Sequence, residues 1–471
     1  MKKTLLLLAF CTVFVGLAQN NITLKKGVII DSLVVNDTVP ETFSLYLPKK
    51  FDVSKAWPVI FVFDMDGRGR QALSMYRAAA EEQGYILAAS NSISDTLSIS
   101  KNVLITSRMF STVANMLPIR NHGIYTSGFS SGGRFSTLIP TFIKEVEGVV
   151  ACGASVANIG VLTSRNPFHY VGIVGDEDFT YPEMLTIEKL LNRLKFPNQL
   201  LVFDGGREWP KTKELSSALK LLTLSAMAKG HVPKDTAYVD ASYKEDFVKV
   251  NRLYTESKPL LADSWLAEMS EIYQPYMSLD SIKTSRKTLR KSRLFREQNR
   301  TQNSLNLKES LIKEEYNYYL EEDIITYNYN NLGWWKYQME ELQKFQKSPE
   351  VLQQKMGKRL EGYVKALVSD NVDVLSAETP IDSEALNFLW MLKTIIEPDN
   401  FDSYLKIISY TAKTDDYGTA LFYLEELLKK GYTNRNELYA LENTALLRIT
   451  PEFNELVEKY LKDARYTIIE E

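Results

Sequence analysis

The stretch Gly123-Ile124-Tyr125-Thr126-Ser127-Gly128-Phe129-Ser130-Ser131-Gly132-Gly133 decides how the first half of this 471-residue chain reads. Residues 123–127 have the length and apolar character of a strand, and a helical pattern opens at Gly133. Between them, Gly128-Phe129-Ser130-Ser131-Gly132 fits G-x-S-x-G. A serine on a sharp strand-to-helix turn leaves no room for neighbouring side chains, which is why glycines flank it. Such a turn holds Ser130 up at the end of a sheet as a candidate nucleophile. A tight Gly/Ser turn that only packs a helix onto a sheet is the other reading.

On both sides of the turn, short apolar runs alternate with helix-like stretches. Residues 58–64 (PVIFVFD), 85–89, 148–152, 170–174 and 199–203 are runs of strand length, as expected for parallel strands buried on both faces. Helical patterns occupy 72–83, 101–117, 134–143, 182–194 and 211–228. Residues 22–35 and 42–47 alternate apolar and polar, which predicts an antiparallel pair at one edge. The alternation predicts an α/β domain with helices on both faces of its sheet.

Two later loops follow strands directly. The first is Gly175-Asp176-Glu177-Asp178-Phe179. A serine hydrolase in this chain order needs an acid after a later strand and then a histidine. Asp178 is the first candidate and Asp176 the second, with a solvated acidic loop as the alternative. The other loop is Phe203-Asp204-Gly205-Gly206-Arg207-Glu208-Trp209-Pro210, after the last strand.

With these three segments in place, residues 21–228 resemble an α/β-hydrolase of the feruloyl-esterase and polyester-depolymerase type. The resemblance rests on the GFSSGG turn, the GDED loop and a segment similar to that family's Gly-Gly-His-x-Trp-Pro. It implies Ser130 as nucleophile and Asp178 as acid. Phe63-Asp64-Met65-Asp66-Gly67-Arg68-Gly69 resembles the loop that helps form the family's oxyanion hole. The resemblance therefore implies Met65 and Ser131 as its backbone donors.

The general base departs from the pattern. Where the family carries its catalytic histidine, this chain has Arg207. Arginine stays protonated and cannot take the serine proton. The three histidines do not substitute. His122 lies eight residues before Ser130, and His169 nine before Asp178. At about 3.3 Å per residue, both are expected at the far end of the sheet. His231 follows a helix that runs away from the site. The expected consequence is a hydrolase fold that has lost ordinary esterase chemistry and serves as a binding or assembly module. An active esterase using Ser130 with an unorthodox base is the alternative, so enzyme status stays open.

From about residue 236 to 471 the pattern is helical throughout, at 250–276, 282–319 (with breaks), 337–346, 351–368, 383–395, 401–412, 417–430 and 451–462. Residues 402–460 resemble the last repeat of a tetratricopeptide (TPR) array with its closing helix, and an irregular bundle is the alternative. A helical stack of this kind suggests a protein or peptide partner. A basic stretch runs from Lys283 to Arg300. It reads as a solvated helix face, balanced by the acidic segment from Glu314 to Asp323. The aromatic-rich segment from Tyr316 to Tyr337 reads as helix–helix core, with sugar stacking as the alternative.

The remaining composition sets limits. Lys plus Arg is 56 and Asp plus Glu is 59, a net charge of −3, which gives no field to collect nucleic acid. Two Cys and three His leave no evident disulfide or metal site, and no cofactor is expected. Lys2 and Lys3, an apolar run to Val15 and Gly16-Leu17-Ala18 read as a signal peptide over 1–18. Residues 19–235 and 236–471 are then the expected domains of an exported protein, periplasmic or extracellular, without a transmembrane segment. A small ester or a glycan is the expected class of cleft ligand.

Overall fold

The computed structural model describes residues 24–36, 38–162, 167–462 and 464–466; the expected signal segment lies outside them. Eight strands make one sheet: β1 (Ile29–Asn36), β2 (Val39–Tyr46), β3 (Trp57–Phe63), β4 (Ile86–Ser90), β5 (Ile119–Phe129), β6 (Val146–Cys152), β7 (His169–Gly175) and β8 (Asn198–Phe203). Their order is β1-β2-β4-β3-β5-β6-β7-β8. Strands β3 to β8 run parallel, and β1 and β2 form the antiparallel edge. The first strand starts later than its alternating pattern suggests. Gly27 takes φ +77° and donates its N–H to the Leu47 carbonyl at 2.8 Å, so a turn precedes Ile29.

Helices α1 (Gly69–Gln83) and α5 (Thr212–Ala228) cover one face of the sheet, and α2 (Ile99–Met116), α3 (Ser131–Phe142) and α4 (Tyr181–Arg193) cover the other. In β3, Ile60 and Val62 pack toward α1 and α5, while Val59, Phe61 and Phe63 pack toward α2 and α3. A strand buried on both sides needs apolar residues at every position, which explains the unbroken PVIFVF run. The architecture is a mostly parallel eight-stranded α/β sheet with helices on both faces, followed by a large all-helical region.

That region comprises α6 (Thr236–Thr255), α7 (Pro259–Ile272), α8 (Asp280–Lys291), α9 (Arg293–Thr326), α10 (Leu332–Gln346), α11 (Val351–Ala377), α12 (Ser383–Ile396), α13 (Phe401–Lys413), α14 (Tyr417–Lys429), α15 (Arg435–Ala440) and α16 (Pro451–Leu461). The continuous helix expected over 250–276 is two helices. Ser257 turns the chain at φ +57°, and Pro259 opens α7. Pro suits that first position because its missing N–H has no intrahelical partner there. The break between α8 and α9 falls at Ser292, whose side chain accepts the Phe295 N–H as an N-cap.

Apolar packing runs across the junction between sheet and helices. Val239 and Val250 of α6, Trp265 and Met269 of α7, and Leu289 of α8 sit in one cluster with Val171, Ile173 and Leu219. Within it, Lys220 Nζ is buried and 2.7 Å from Asp246 Oδ1, and Tyr273 Oη donates to Asp246 Oδ2 at 2.7 Å. A second cluster joins α9 to α12 around Trp335, Leu360 and Phe388. A third joins α13 to α16 around Ile408, Leu424 and Phe453.

The basic stretch is a solvated helix face, with seven of its eight Lys and Arg residues exposed. Ile282 and Leu289 are buried, and Arg286 and Arg290 both fork onto Asp263 of α7, at 3.0 and 2.6 Å. Arg286 and Arg290 thus find their acid in Asp263, on an earlier helix than the segment the sequence suggested, and Arg293 pairs with Glu297 in its own helix at 2.6 Å. The aromatic segment divides by helical phase. Tyr316 and Trp335 are core, whereas Tyr318 and Tyr337 are exposed. Among the described residues, no helix is long and apolar enough to cross a membrane.

Because one core spans residues 229–235, cutting that junction should not separate the halves. Limited proteolysis followed by native size-exclusion chromatography should give fragments that co-elute. Two independently eluting, folded fragments would contradict this packing.

Candidate functional site

Strand β5 ends at Phe129 and α3 begins at Ser131, so Ser130 alone carries the turn. It holds φ 54° and ψ −122°. A non-glycine residue pays about 1–3 kcal/mol for such a conformation, so its surroundings must enforce it. Close backbone approach on both sides does so. A Cβ on Gly128 would stand 2.3 Å from the Gly132 carbonyl carbon, and one on Gly132 would stand 2.2 Å from the Phe63 carbonyl oxygen. The Ser130 N–H donates to the Cys152 carbonyl at 3.0 Å, which pins the turn to β6.

The loop after β7 supplies Asp178. Its side chain is only 1% exposed. Its Oδ1 accepts from the Thr180 N–H at 2.9 Å and the Thr180 hydroxyl at 3.0 Å. The loop after β8 packs against it by backbone: Glu177 N–H donates to the Gly205 carbonyl at 2.9 Å, and a Cβ on Gly175 would lie 2.3 Å from that oxygen. This contact brings Arg207 to Asp178.

Arg207 joins the two positions. Its Nη1 donates to Asp178 Oδ1 at 3.1 Å, to Oδ2 at 3.2 Å and to the Gly153 carbonyl at 3.1 Å. Its Nη2 donates to Ser130 Oγ at 2.7 Å. The guanidinium carbon sits 4.3 Å from the Phe179 ring centroid and 5.5 Å from that of Phe129. Two aromatic faces and a fork of hydrogen bonds therefore fix the plane of the cation. Among the described residues, the hydroxyl of Ser130 has no hydrogen-bond acceptor beside it.

The histidines lie elsewhere. His122 is in the first half of β5 and His169 opens β7, while Ser130 and Asp178 follow the opposite ends of those strands. His231 stacks on His122 with ring centroids 4.2 Å apart. His169 is buried against Gln199, and burial pushes its pKa down to about 4.

The second acid candidate, Asp176, is taken up by the helical region. Lys355 Nζ of α11 lies 2.6 Å from Asp176 Oδ2 and 2.6 Å from Asp204 Oδ1. Burial raises the Asp176 pKa, against the pull of Lys355. Beside it, Arg359 of α11 donates to the Asp176 carbonyl at 2.6 Å and forks onto Glu309 of α9, with both side chains 1% exposed. Lys358 Nζ is 2.9 Å from Glu177 Oε2, and Lys313 Nζ donates to the Phe179 carbonyl at 3.2 Å. The three acids of the loop are thus not a solvated run: one meets Arg207 and two meet α11.

Between the turn and α11 lies an open cleft of about 880 Å³. Ser130, Ser131, Arg134 and Arg207 line one side, and Lys358, Gly362, Lys365, Ser369 and Asp370 line the other. Ser131, expected as an oxyanion donor, is in the lining. The Met65 N–H is the other expected donor; the Met65 side chain packs in the cluster under α2 and α3, and its carbonyl accepts the Asp95 N–H at 3.0 Å. The contribution of α11 was not anticipated from the sequence. Positions 358, 362, 365 and 369 are spaced four, three and four apart, so they form one stripe of a helix. That stripe was readable, but its destination was not.

The Arg359–Glu309 pair fixes the roof of this cleft. Arg359→Met should destabilise the protein by about 3 kcal/mol, because it strands a buried carboxylate and leaves the Asp176 carbonyl without its donor. Urea unfolding measures this. A change within about 0.5 kcal/mol, as for an ordinary surface site, would contradict the assignment.

Neither a protein-family model nor a curated protein matches the sequence. Solved structures similar to the chain include a ferulic acid esterase, 14% identical, covering 42% of this chain and 97% of that one with a TM-score of 0.34. The S-formylglutathione hydrolase FrmB from Staphylococcus aureus is 12% identical and covers 43% of this chain and 99% of its own, with a TM-score of 0.34. The feruloyl esterase module from Clostridium thermocellum, complexed with sinapinate, is 12% identical and covers 41% and 86%, with a TM-score of 0.35.

Proposed function

We propose that this chain is an exported α/β-hydrolase-fold pseudoenzyme that binds a ligand in the Ser130–Arg207 cleft without hydrolysing it. The observation that carries the reading is the 2.7 Å hydrogen bond from Arg207 Nη2 to Ser130 Oγ. A serine nucleophile is activated by a neutral base that accepts its proton while a carboxylate orients that base. Here the group between serine and carboxylate is a guanidinium, with donors only. It neutralises Asp178 and holds the hydroxyl in place, but offers no lone pair to a proton.

The cleft suits a small ester, an acid or a glycan. Cationic groups at Arg134, Lys358 and Lys365 stand among its polar lining. The helical region supports a role in assembly: α13 and α14 pair around Ile408 and Leu424, and α16 closes the pair through Phe453 and Val457. That arrangement supports the TPR-like reading of residues 402–460, and with it a protein or peptide partner. Export rests on the charged and apolar pattern of residues 1–18.

A second reading is an active esterase with an unorthodox base. The strained Ser130 backbone and the buried Asp178 favour it, since both are positioned as a working triad needs them. Turnover of nitrophenyl acetate separates the two readings. The wild-type protein should show none above background. Arg207→His should raise it, because a restored base contributes on the order of 10²-fold or more. Wild-type turnover that Ser130→Ala abolishes would overturn the pseudoenzyme reading.

A further inference from the structure

Two of the chain's three histidines meet at the end of the sheet opposite the cleft. His122 lies in β5, Glu147 in β6, and His231 follows α5 at the entry to the helical region. His122 Nδ1 is 2.6 Å from Glu147 Oε1, and His231 Nδ1 is 3.9 Å from Glu147 Oε2. One ligand atom from each of the three residues can be chosen so that all lie within 4.8 Å of one another. The imidazoles are stacked, with centroids 4.2 Å apart and planes 21° apart. The backbone is bent to make this meeting. His122 takes φ +55°, and Gly230, directly before His231, takes φ +76°. An L-residue in that region is held there by its surroundings.

We propose that His122, Glu147 and His231 form a site for a divalent transition-metal ion, Zn²⁺ foremost. Two imidazoles and one carboxylate are a donor set for Zn²⁺, Ni²⁺ or Cu²⁺, and a poor one for Mg²⁺ or Ca²⁺, which prefer all-oxygen shells. Ligands about 2.0–2.2 Å from a tetrahedral zinc are roughly 3.4 Å apart. The widest separation must therefore close by about 1.4 Å and the 2.6 Å His122–Glu147 pair open by about 0.8 Å, which side-chain rotation supplies. The fourth position is left to water. Lys229 Nζ, 3.6 Å from Glu147 Oε2, is the competing cation and would be displaced from that oxygen when the metal binds. The site ties β5 and β6 to residue 231, so the ion would staple the sheet to the chain that leads into the helices. The role is structural and independent of the chemistry at Ser130. The sequence offered no metal set because the ligands are separated by 25 and 84 residues, with no motif spacing between them.

The test uses the full, untagged protein. Calorimetric titration with ZnCl₂ should show one equivalent bound, and bound Co²⁺ should give the visible bands of a tetrahedral site. Zinc should raise the melting temperature by several degrees. His231→Ala and Glu147→Gln should each weaken zinc binding at least tenfold and abolish the thermal shift, whereas Lys229→Met should leave it intact or tighten it. Ester turnover in Arg207→His should not depend on zinc. No saturable binding at 100-fold excess zinc would overturn the proposal, as would equal binding by His231→Ala. If the variants melt lower without zinc, the Co²⁺ spectrum at a temperature where they are folded decides: tetrahedral bands in His231→Ala refute the site.

Discussion

The Asp178 carboxylate is out of solvent, and the need to pair it organises the cleft. A buried carboxylate without partners is costly, so it collects hydrogen bonds and a counter-charge. Thr180 supplies two donors from its own loop, and Arg207 supplies the charge. Arg207 can do so only because the loops after β7 and β8 touch backbone to backbone at Gly175 and Gly205. Once there, its second nitrogen reaches Ser130 Oγ. The same cation thus bridges the acid and the serine. In a triad the middle residue must be able to gain a proton; on the proposed reading this permanent cation keeps the geometry of the three parts without their chemistry.

A second layer of charge makes the site larger than the sheet. Lys355, Lys358 and Arg359 lie along α11 and hold Asp176, Glu177 and the Asp176 carbonyl. The loop that carries Asp178 is therefore gripped from above by the helical region. The position of the acid and the position of the roof are one structural fact. This explains why the cleft is lined from both halves, and why a ligand bound there would contact both.

Much of the fold was legible. The alternation of apolar runs with helical stretches predicted a parallel sheet covered on both faces, and the two alternating stretches predicted the antiparallel edge, while the strand order came only with the structure. Positions that depend on strand ends were legible too: Ser130, Asp178 and Arg207 each follow a strand directly, and a parallel sheet brings such ends together. What failed was information held in tertiary contact. A positive φ at Ser257 split one expected helix into two. Asp263 paired with Arg286 and Arg290, although a later acidic segment looked like their balance. The stripe on α11 and the meeting of His122 with His231 required the fold before they had any meaning.

The central claim is that Ser130 is held but not activated. Incubation with a fluorophosphonate probe, followed by intact-mass and peptide mass spectrometry, tests it at the atom concerned. The account predicts no stoichiometric adduct on Ser130 in the wild-type protein after prolonged exposure, because a hydroxyl paired only to a guanidinium is a poor nucleophile. Rapid, complete labelling at Ser130 would contradict it.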